Sequence, residues 1–423
     1  MIAAGNMLQK ARRPQTDSPC VVRQTMPTLP HASTPERAIE GHGQHSSRII
    51  GLDLVRAAAI AMVLMAHMSA LTVGPWPMTW VFSVGGLVGV EVFFALSGFL
   101  VGGILYRSVI GGTLSLTHFW RRRWLRTIPA YLVFLTLNTL FAKWFSGAAP
   151  PWREIGPYLF YVQNLGWPQP SFFGEAWSLA VEEWFYLLSP VLLLGLARLL
   201  PVTRAFLTMA CGLVLLPLLF RLVFVAATDP SWDQGVRKIV IHRLDAIGVG
   251  VLIAGMFGQG FFAGRRQRVV SAAIGGVLLI GSVLAYWMAA PSGGLDRSYS
   301  ARTWLFFLCP LGAALTLPWF ARVDHLRGRV LPALVRWLAA VSYSAYMCNL
   351  LILKCLMVSG RLRSLHPTWQ VCVFLAGTLL VATASYLAVE RPFMRLARRP
   401  DVDGPRDPSH ERIARTRCSR RSQ

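Results

Sequence analysis

The chain has 423 residues, of which 54% are hydrophobic and only 14% charged. With a mean hydropathy of +0.48, this excludes a soluble domain of this size. The formal charge of +23 does not point to nucleic acid: between residues 49 and 394 there are only twelve acids, and Arg and Lys gather in short clusters between apolar runs, as the positive-inside rule arranges them in a membrane protein.

Residues 1–47 are rich in Pro, Ser, Thr, Gln and His and lack an apolar period, which reads as a disordered tail. No apolar stretch precedes Ile49, so no cleaved signal peptide is expected. Ten apolar runs follow, at about 49–71, 84–106, 124–145, 176–198, 204–227, 239–260, 269–290, 303–321, 331–357 and 367–389. Blocks of about twenty residues cross a bilayer as helix, and they lack the alternation of barrel strands. The expected fold is an all-α, polytopic integral membrane domain over 48–394, with a basic disordered tail over 395–423. Arginines concentrate at one end of these runs (Arg107, Arg121 to Arg126, Arg198, Arg204, Arg265 to Arg268, Arg322 to Arg329, the tail from Arg391) and are sparser at the other. With ten spans, this places both termini in the cytoplasm. Five cysteines within apolar runs (Cys211, Cys309, Cys348, Cys355, Cys372) form no CxxC pair and read as small core residues, with no metal site implied.

The first run, GLDLVRAAAIAMVLMAHMSAL, carries Arg56 and His67. Eleven residues apart, they differ by only ~20° around a helix and by ~16 Å along it, so they line one face. Arg56 has two readings, snorkelling at the cytoplasmic end or facing a polar cavity; a lone His67 would more often be a packing residue. The second run places Glu91 beside two phenylalanines and a Ser-Gly pair in VGVEVFFALSGFLVGG. The stretch HFWRRRWLRTIP then puts Arg123 and Arg126 three residues apart, on adjacent helix positions. Guanidinium forks of this kind bind phosphates bidentately, although ordinary flanking charge explains one or two of these arginines.

In GEAWSLAVEEWFYLLSP, Glu182 and Glu183 lie about two turns inside an apolar block. Neighbouring helical residues point about 100° apart, so one carboxyl can face a cavity; Glu182 is the favoured inward group and Glu183 the second choice. In HRLDAIGVG, Arg243 and Asp245 can pair with each other or contact an acceptor. The outer stretch from Ser146 to Phe173, rich in Pro, Trp and Gly, reads either as an acceptor pocket or as a packed loop.

The pieces LDLVRAAAI…H, GVEVFFALSGFLVG, FWRRRWLRTIPAY, WSLAVEEWFYLLSP, RLDAIGVG, SYSAYMCN and VERPFMR, in this order across about 49–394, resemble the membrane acyltransferase-3 family, bacterial integral-membrane O-acyltransferases. The resemblance implies transfer of an acyl group, acetyl above all, from cytoplasmic acyl-CoA, a substrate rather than a resident cofactor. The receiver is a hydroxyl of an extracytoplasmic or membrane-presented acceptor: a sugar of a cell-surface polysaccharide or glycolipid, or alternatively a macrolide-type metabolite. It places the family's Arg, ten residues, then His on Arg56 and His67, its RxxR on Arg123 and Arg126, and its WSLxVE acid on Glu182. Two positions depart from the pattern: Glu91 stands for the usual Asp, and Asn349 for the His of SYSxYxxH.

In the expected mechanism Arg123 and Arg126 hold the CoA phosphates. Arg56 guides the thioester arm or stabilises charge in the buried site. His67 is the general base, and Glu182 orients it as the acid of a triad does. No nucleophile elbow is visible, which favours direct transfer, with an acyl-histidine relay at His67 as the alternative. A multi-pass transporter or exporter is the rival class; the absence of a repeated hydropathy pattern or of paired broken helices speaks against it.

Overall fold

The computed structural model describes residues 49–69, 71, 76–360 and 364–397. The two tails expected to be disordered, and Arg361 and Arg363, lie outside the described residues. All regular structure among the described residues is helical. The helices are α1 (Ile50–Met68), α2 (Trp76–Ile110), α3 (Leu116–Ser146), α4 (Trp152–Leu159), α5 (Ala176–Ala197), α6 (Val202–Thr228), α7 (Leu244–Gly258), α8 (Arg265–Ala289), α9 (Leu305–Phe320), α10 (Val330–Val358) and α11 (Pro367–Ser385). The last continues through a π-helical turn, Tyr386–Glu390, to Leu396. Eight of these are long and apolar enough to span a bilayer, and α7 and α9 are shorter apolar helices.

Ten apolar helices therefore stand where ten runs were read, with differences at several ends; α2 begins at Trp76, eight residues before its run. The sixth run does not begin as α-helix: a 3₁₀ turn, Val240–His242, precedes α7. The third helix starts eight residues early, at Leu116, where the Ser115 hydroxyl accepts from the His118 amide, a side-chain cap for an otherwise orphaned donor. The RRRxxR cluster is thus part of α3 itself.

The outer faces of the bundle are apolar. Leu215, Leu216 and Val223 on α6, Val277 and Ile280 on α8, and Leu380 on α11 are exposed, a surface that lipid satisfies without a burial cost. Of the five cysteines, Cys309 and Cys348 are buried as expected, whereas Cys211, Cys355 and Cys372 are exposed on this apolar surface rather than in the core.

Small residues bring the inner helices together. A Cβ on Gly98 would stand 2.0 Å from the Ile247 carbonyl oxygen, and one on Gly250 would stand 2.1 Å from that of Ala95. So α2 and α7 touch backbone to backbone, in the small-residue manner of membrane helix pairs. Gly275 of α8 and Gly312 of α9 make a second such approach. Glu91 of α2 and Arg243, immediately before α7, are both buried.

The segment 146–173 resolves as a packed loop. Tyr158, Gln163, Asn164 and Phe173 are fully buried, and the Tyr131 hydroxyl donates to the Tyr158 carbonyl at 2.9 Å. No residue of this stretch lines either cavity described below.

Candidate active site

Two cavities open among the helices. The first gathers Arg56 from α1, Ser97 from α2, Arg123, Arg126 and Thr127 from α3, and Glu182 and Tyr186 from α5. Four of the five site residues read from the sequence meet here. Antiparallel alternation of the helices puts this cavity toward the arginine-rich end.

Within it, Arg123 lies 5.9 Å from the Phe119 ring centre and 5.7 Å from that of Tyr186, so its guanidinium is stacked and oriented. Arg56 forms an ion pair with Asp53 one turn earlier, at 3.7 Å. Glu182 accepts from Ser97 at 2.9 Å and from Tyr186 at 2.8 Å, and Arg126 and Arg56 act on it electrostatically. Glu183 turns the other way, accepting from Thr127 at 2.7 Å and tying α5 to α3. The choice of Glu182 as the cavity-facing acid agrees with this arrangement. Glu182 and His67, expected as partners, line different cavities and are not brought together here.

His67 lines the second cavity instead, with Glu175, Trp177, Trp232, Arg237 and Lys238. The eleven-residue rise that keeps it on the Arg56 face carries it past the first cavity and toward the opposite end. The Asn349 side chain lies against the imidazole. The contact is not aligned as a strong hydrogen bond, and His67 Nδ1 and Asn349 Oδ1 are both buried without a well-formed partner.

Val90 and Tyr346 line both cavities. The Tyr346 hydroxyl shares a 2.6 Å hydrogen bond with Ser178, and its ring packs edge-on against Phe93. Tyr346 and Val90 are thus common to the lining of an arginine-lined chamber and of the one that holds His67.

The His67 chamber carries its own charge cluster in the turn before α7. Asp233 binds Arg237 and Lys238, each at 2.6 Å, and the Arg237 guanidinium lies 5.1 Å from the Trp177 ring and 5.3 Å from that of Trp232. Burial alone would raise the Asp233 pKa, but the two cations outweigh it and hold the carboxyl below its usual range. Burial lowers the Lys238 pKa. Glu175, immediately before α5, is pushed up to about 7 by burial, with its own backbone amide and Lys354 only partly opposing.

Arg243 and Asp245 neither pair with each other nor line a cavity. Arg243 binds Glu91, and Asp245 binds Arg221 at 2.6 and 3.0 Å. All four are fully buried, where an ion must be paired to be tolerated. Arg221, in the middle of α6, escaped the sequence reading; a lone arginine inside the apolar block 204–227 was the available signal. The last two motifs also join: Ser344 donates to Glu390 and stands 2.8 Å from Ser385.

Comparison with known proteins bears on the family of the chain. The acyltransferase-3 family profile, an acyltransferase domain, matches residues 49–387. The chain is 26% identical to the peptidoglycan O-acetyltransferase OatA of Listeria monocytogenes, over 81% of this chain and 55% of that one. It is 25% identical to a putative O-acetyltransferase of Staphylococcus aureus, over 82% and 57%. It is 30% identical to the putative peptidoglycan O-acetyltransferase YrhL of Bacillus subtilis, over 44% and 30%. The chain thus spans little more than half the length of the first two relatives. No solved structure matches it. From the order of its motifs, the ten apolar helices and the match across residues 49–387, the chain belongs to the acyltransferase-3 family of multi-pass membrane proteins.

Proposed function

We propose that this protein is a membrane O-acetyltransferase that takes the acetyl group of acetyl-CoA at the arginine-rich end and delivers it to a sugar hydroxyl presented from the opposite side. The observation that carries the reading is the pair of chambers meeting at Val90 and Tyr346. One collects three arginines suited to a polyanionic donor, and the other holds His67. By the charge bias of the helix ends the arginine-rich end is cytoplasmic, in a bacterial inner membrane. The names of two relatives, peptidoglycan O-acetyltransferases, make a cell-wall or cell-surface polysaccharide the favoured acceptor over a macrolide-type metabolite. A transporter has no use for the stacked Arg123 and the Arg126 beside it.

In this scheme Arg123 and Arg126 hold the CoA phosphates, and Arg56 with Glu182 lines the path of the thioester arm. The acyl carbon reaches the junction at Tyr346. The acceptor hydroxyl enters from the outer chamber, His67 removes its proton, and its oxygen attacks the thioester carbon. The C–S bond breaks, the sulfur takes the proton back from His67, and an ester and free CoA thiol leave on opposite sides. General base catalysis of this kind contributes about 10²–10⁴-fold.

The test is to supply labelled acetyl-CoA to membranes containing the protein and to look for base-labile label in a glycan fraction. Its appearance only with the protein supports the reading; label confined to intact CoA, with CoA moving across the membrane, supports transport instead.

A further inference from the structure

The outer chamber contains an acid that the transfer scheme does not use. Glu175 is 2% exposed and lines the cavity beside His67, yet both of its carboxyl oxygens lack a hydrogen-bond partner. It stands at the N-cap position of α5 but its side chain caps no amide. Lys354, which acts on it electrostatically, donates to the Phe172 carbonyl at 2.7 Å and to Asn138 at 3.4 Å, and forms no ion pair with it. Buried polar atoms are nearly always satisfied, and an unsatisfied pair in a cavity calls for a ligand. An ionised carboxyl only accepts hydrogen bonds, through two oxygens side by side, so the missing group is a pair of donors. The lining cations Arg237 and Lys238 oppose a cationic ligand, which leaves neutral hydroxyls.

We propose that Glu175 reads the acceptor: its two free oxygens accept hydrogen bonds from neighbouring hydroxyls of the carbohydrate in the outer chamber, fixing the sugar so that a further hydroxyl faces His67. This rests on the transferase reading for its consequence but not for its binding step. The indole of Trp177, held by the Arg237 guanidinium stacked on it, gives the same cavity an aromatic wall for a sugar ring.

The experiment uses the full chain purified in detergent, as the native protein and as Glu175→Gln, which keeps size and removes the charge. Binding of chitotetraose and maltotetraose is measured by calorimetric titration, binding of CoA in a separate titration, and acetyl transfer to the same oligosaccharides by label. The expected result is that at least one oligosaccharide binds the native protein and binds Glu175→Gln about tenfold or more weakly, the effect of losing a hydrogen bond to a charged group. CoA affinity stays within about twofold and the melting temperature is not lowered. Where transfer occurs, the acceptor KM rises while CoA binding holds. Equal oligosaccharide affinity in the two proteins, binding of neither sugar to the native protein, or a Glu175→Gln variant that no longer folds would each overturn the proposal. Sugar binding that depends on Glu175 in a protein showing no transfer would uphold this site and overturn the transferase reading.

Discussion

Arg243 donates to both carboxyl oxygens of Glu91 at 2.6 Å, across 152 residues of sequence. The guanidinium also lies 4.4 Å from the Phe306 ring centre, so α2, α7 and α9 meet on one charge pair. Removing one partner leaves the other buried and unpaired. Glu91→Ala is expected to lose about 3–5 kcal/mol, seen as a large drop in melting temperature in detergent. The double variant Glu91→Leu with Arg243→Met is expected to recover much of it. A single variant as stable as the native protein would show that the pair contributes nothing to the fold.

Arg123 is stacked as well as charged, between Phe119 and Tyr186. A lysine keeps the charge but neither the planar fork nor the stack. Arg123→Lys and Arg126→Ala are each expected to weaken CoA binding by about tenfold, the scale of one charge-assisted hydrogen bond. A titration with CoA and with dephospho-CoA checks this. Unchanged affinity in both variants would remove the arginine chamber as the donor site.

Tyr346, common to both linings, is held by its 2.6 Å bond to Ser178. Tyr346→Phe keeps the ring and removes that bond. Loosening this side chain is expected to let water reach the thioester, raising acceptor-independent hydrolysis of acetyl-CoA by about fivefold, which corresponds to one neutral hydrogen bond of about 1 kcal/mol. Release of CoA thiol without acceptor is the measurement; no rise would mean that Tyr346 does not separate the chambers.

Burial pushes the Glu175 pKa up to about 7 from 4.5. A raised carboxyl pKa means that between these values the folded chain retains a proton that the unfolded chain has released. The stabilisation it lends is full below pH 4.5, declines as pH rises toward about 7, and is gone above it. Glu175→Gln is therefore expected to melt higher than the native protein at pH 8 and at the same temperature at pH 4.5. Melting curves at the two pH values check the sign; a variant destabilised at pH 8 would contradict it.

Much of this site was legible because its residues break a local rule. Arg56, Glu182 and His67 interrupt apolar runs, and RRRxxR exceeds ordinary flanking charge, so each stood out before any packing was known. Helical spacing also put Arg56 and His67 on one face. It could not show that the two line different chambers with Tyr346 common to both, since Tyr346 lies on α10, nearly 300 residues along. For the same reason the cross-helix partners were illegible: Glu91 for Arg243 and Ser97 for Glu182 are chosen by how α2, α5 and α7 cross, whereas Tyr186, four residues after Glu182 on α5, was within reach of helical spacing. Glu175 stood at the start of a recognised motif, but an acid before a helix usually reads as a cap, and only the structure shows both its oxygens unbonded. For the loop 146–173 the sequence left two readings open, a pocket or a packed loop, because composition cannot tell aromatic residues that face a ligand from those that pack, as these do around Tyr158 and Phe173.

The central claim is that His67 accepts the proton of the acceptor hydroxyl. Its most direct test is transfer from labelled acetyl-CoA in inverted membrane vesicles, comparing the native protein with His67→Ala inserted at equal levels. The account predicts base-labile label in the glycan or lipid fraction with the native protein and a loss of about 10²–10⁴-fold with the variant, while CoA binding in the arginine chamber persists. Equal labelling by the two proteins would contradict it.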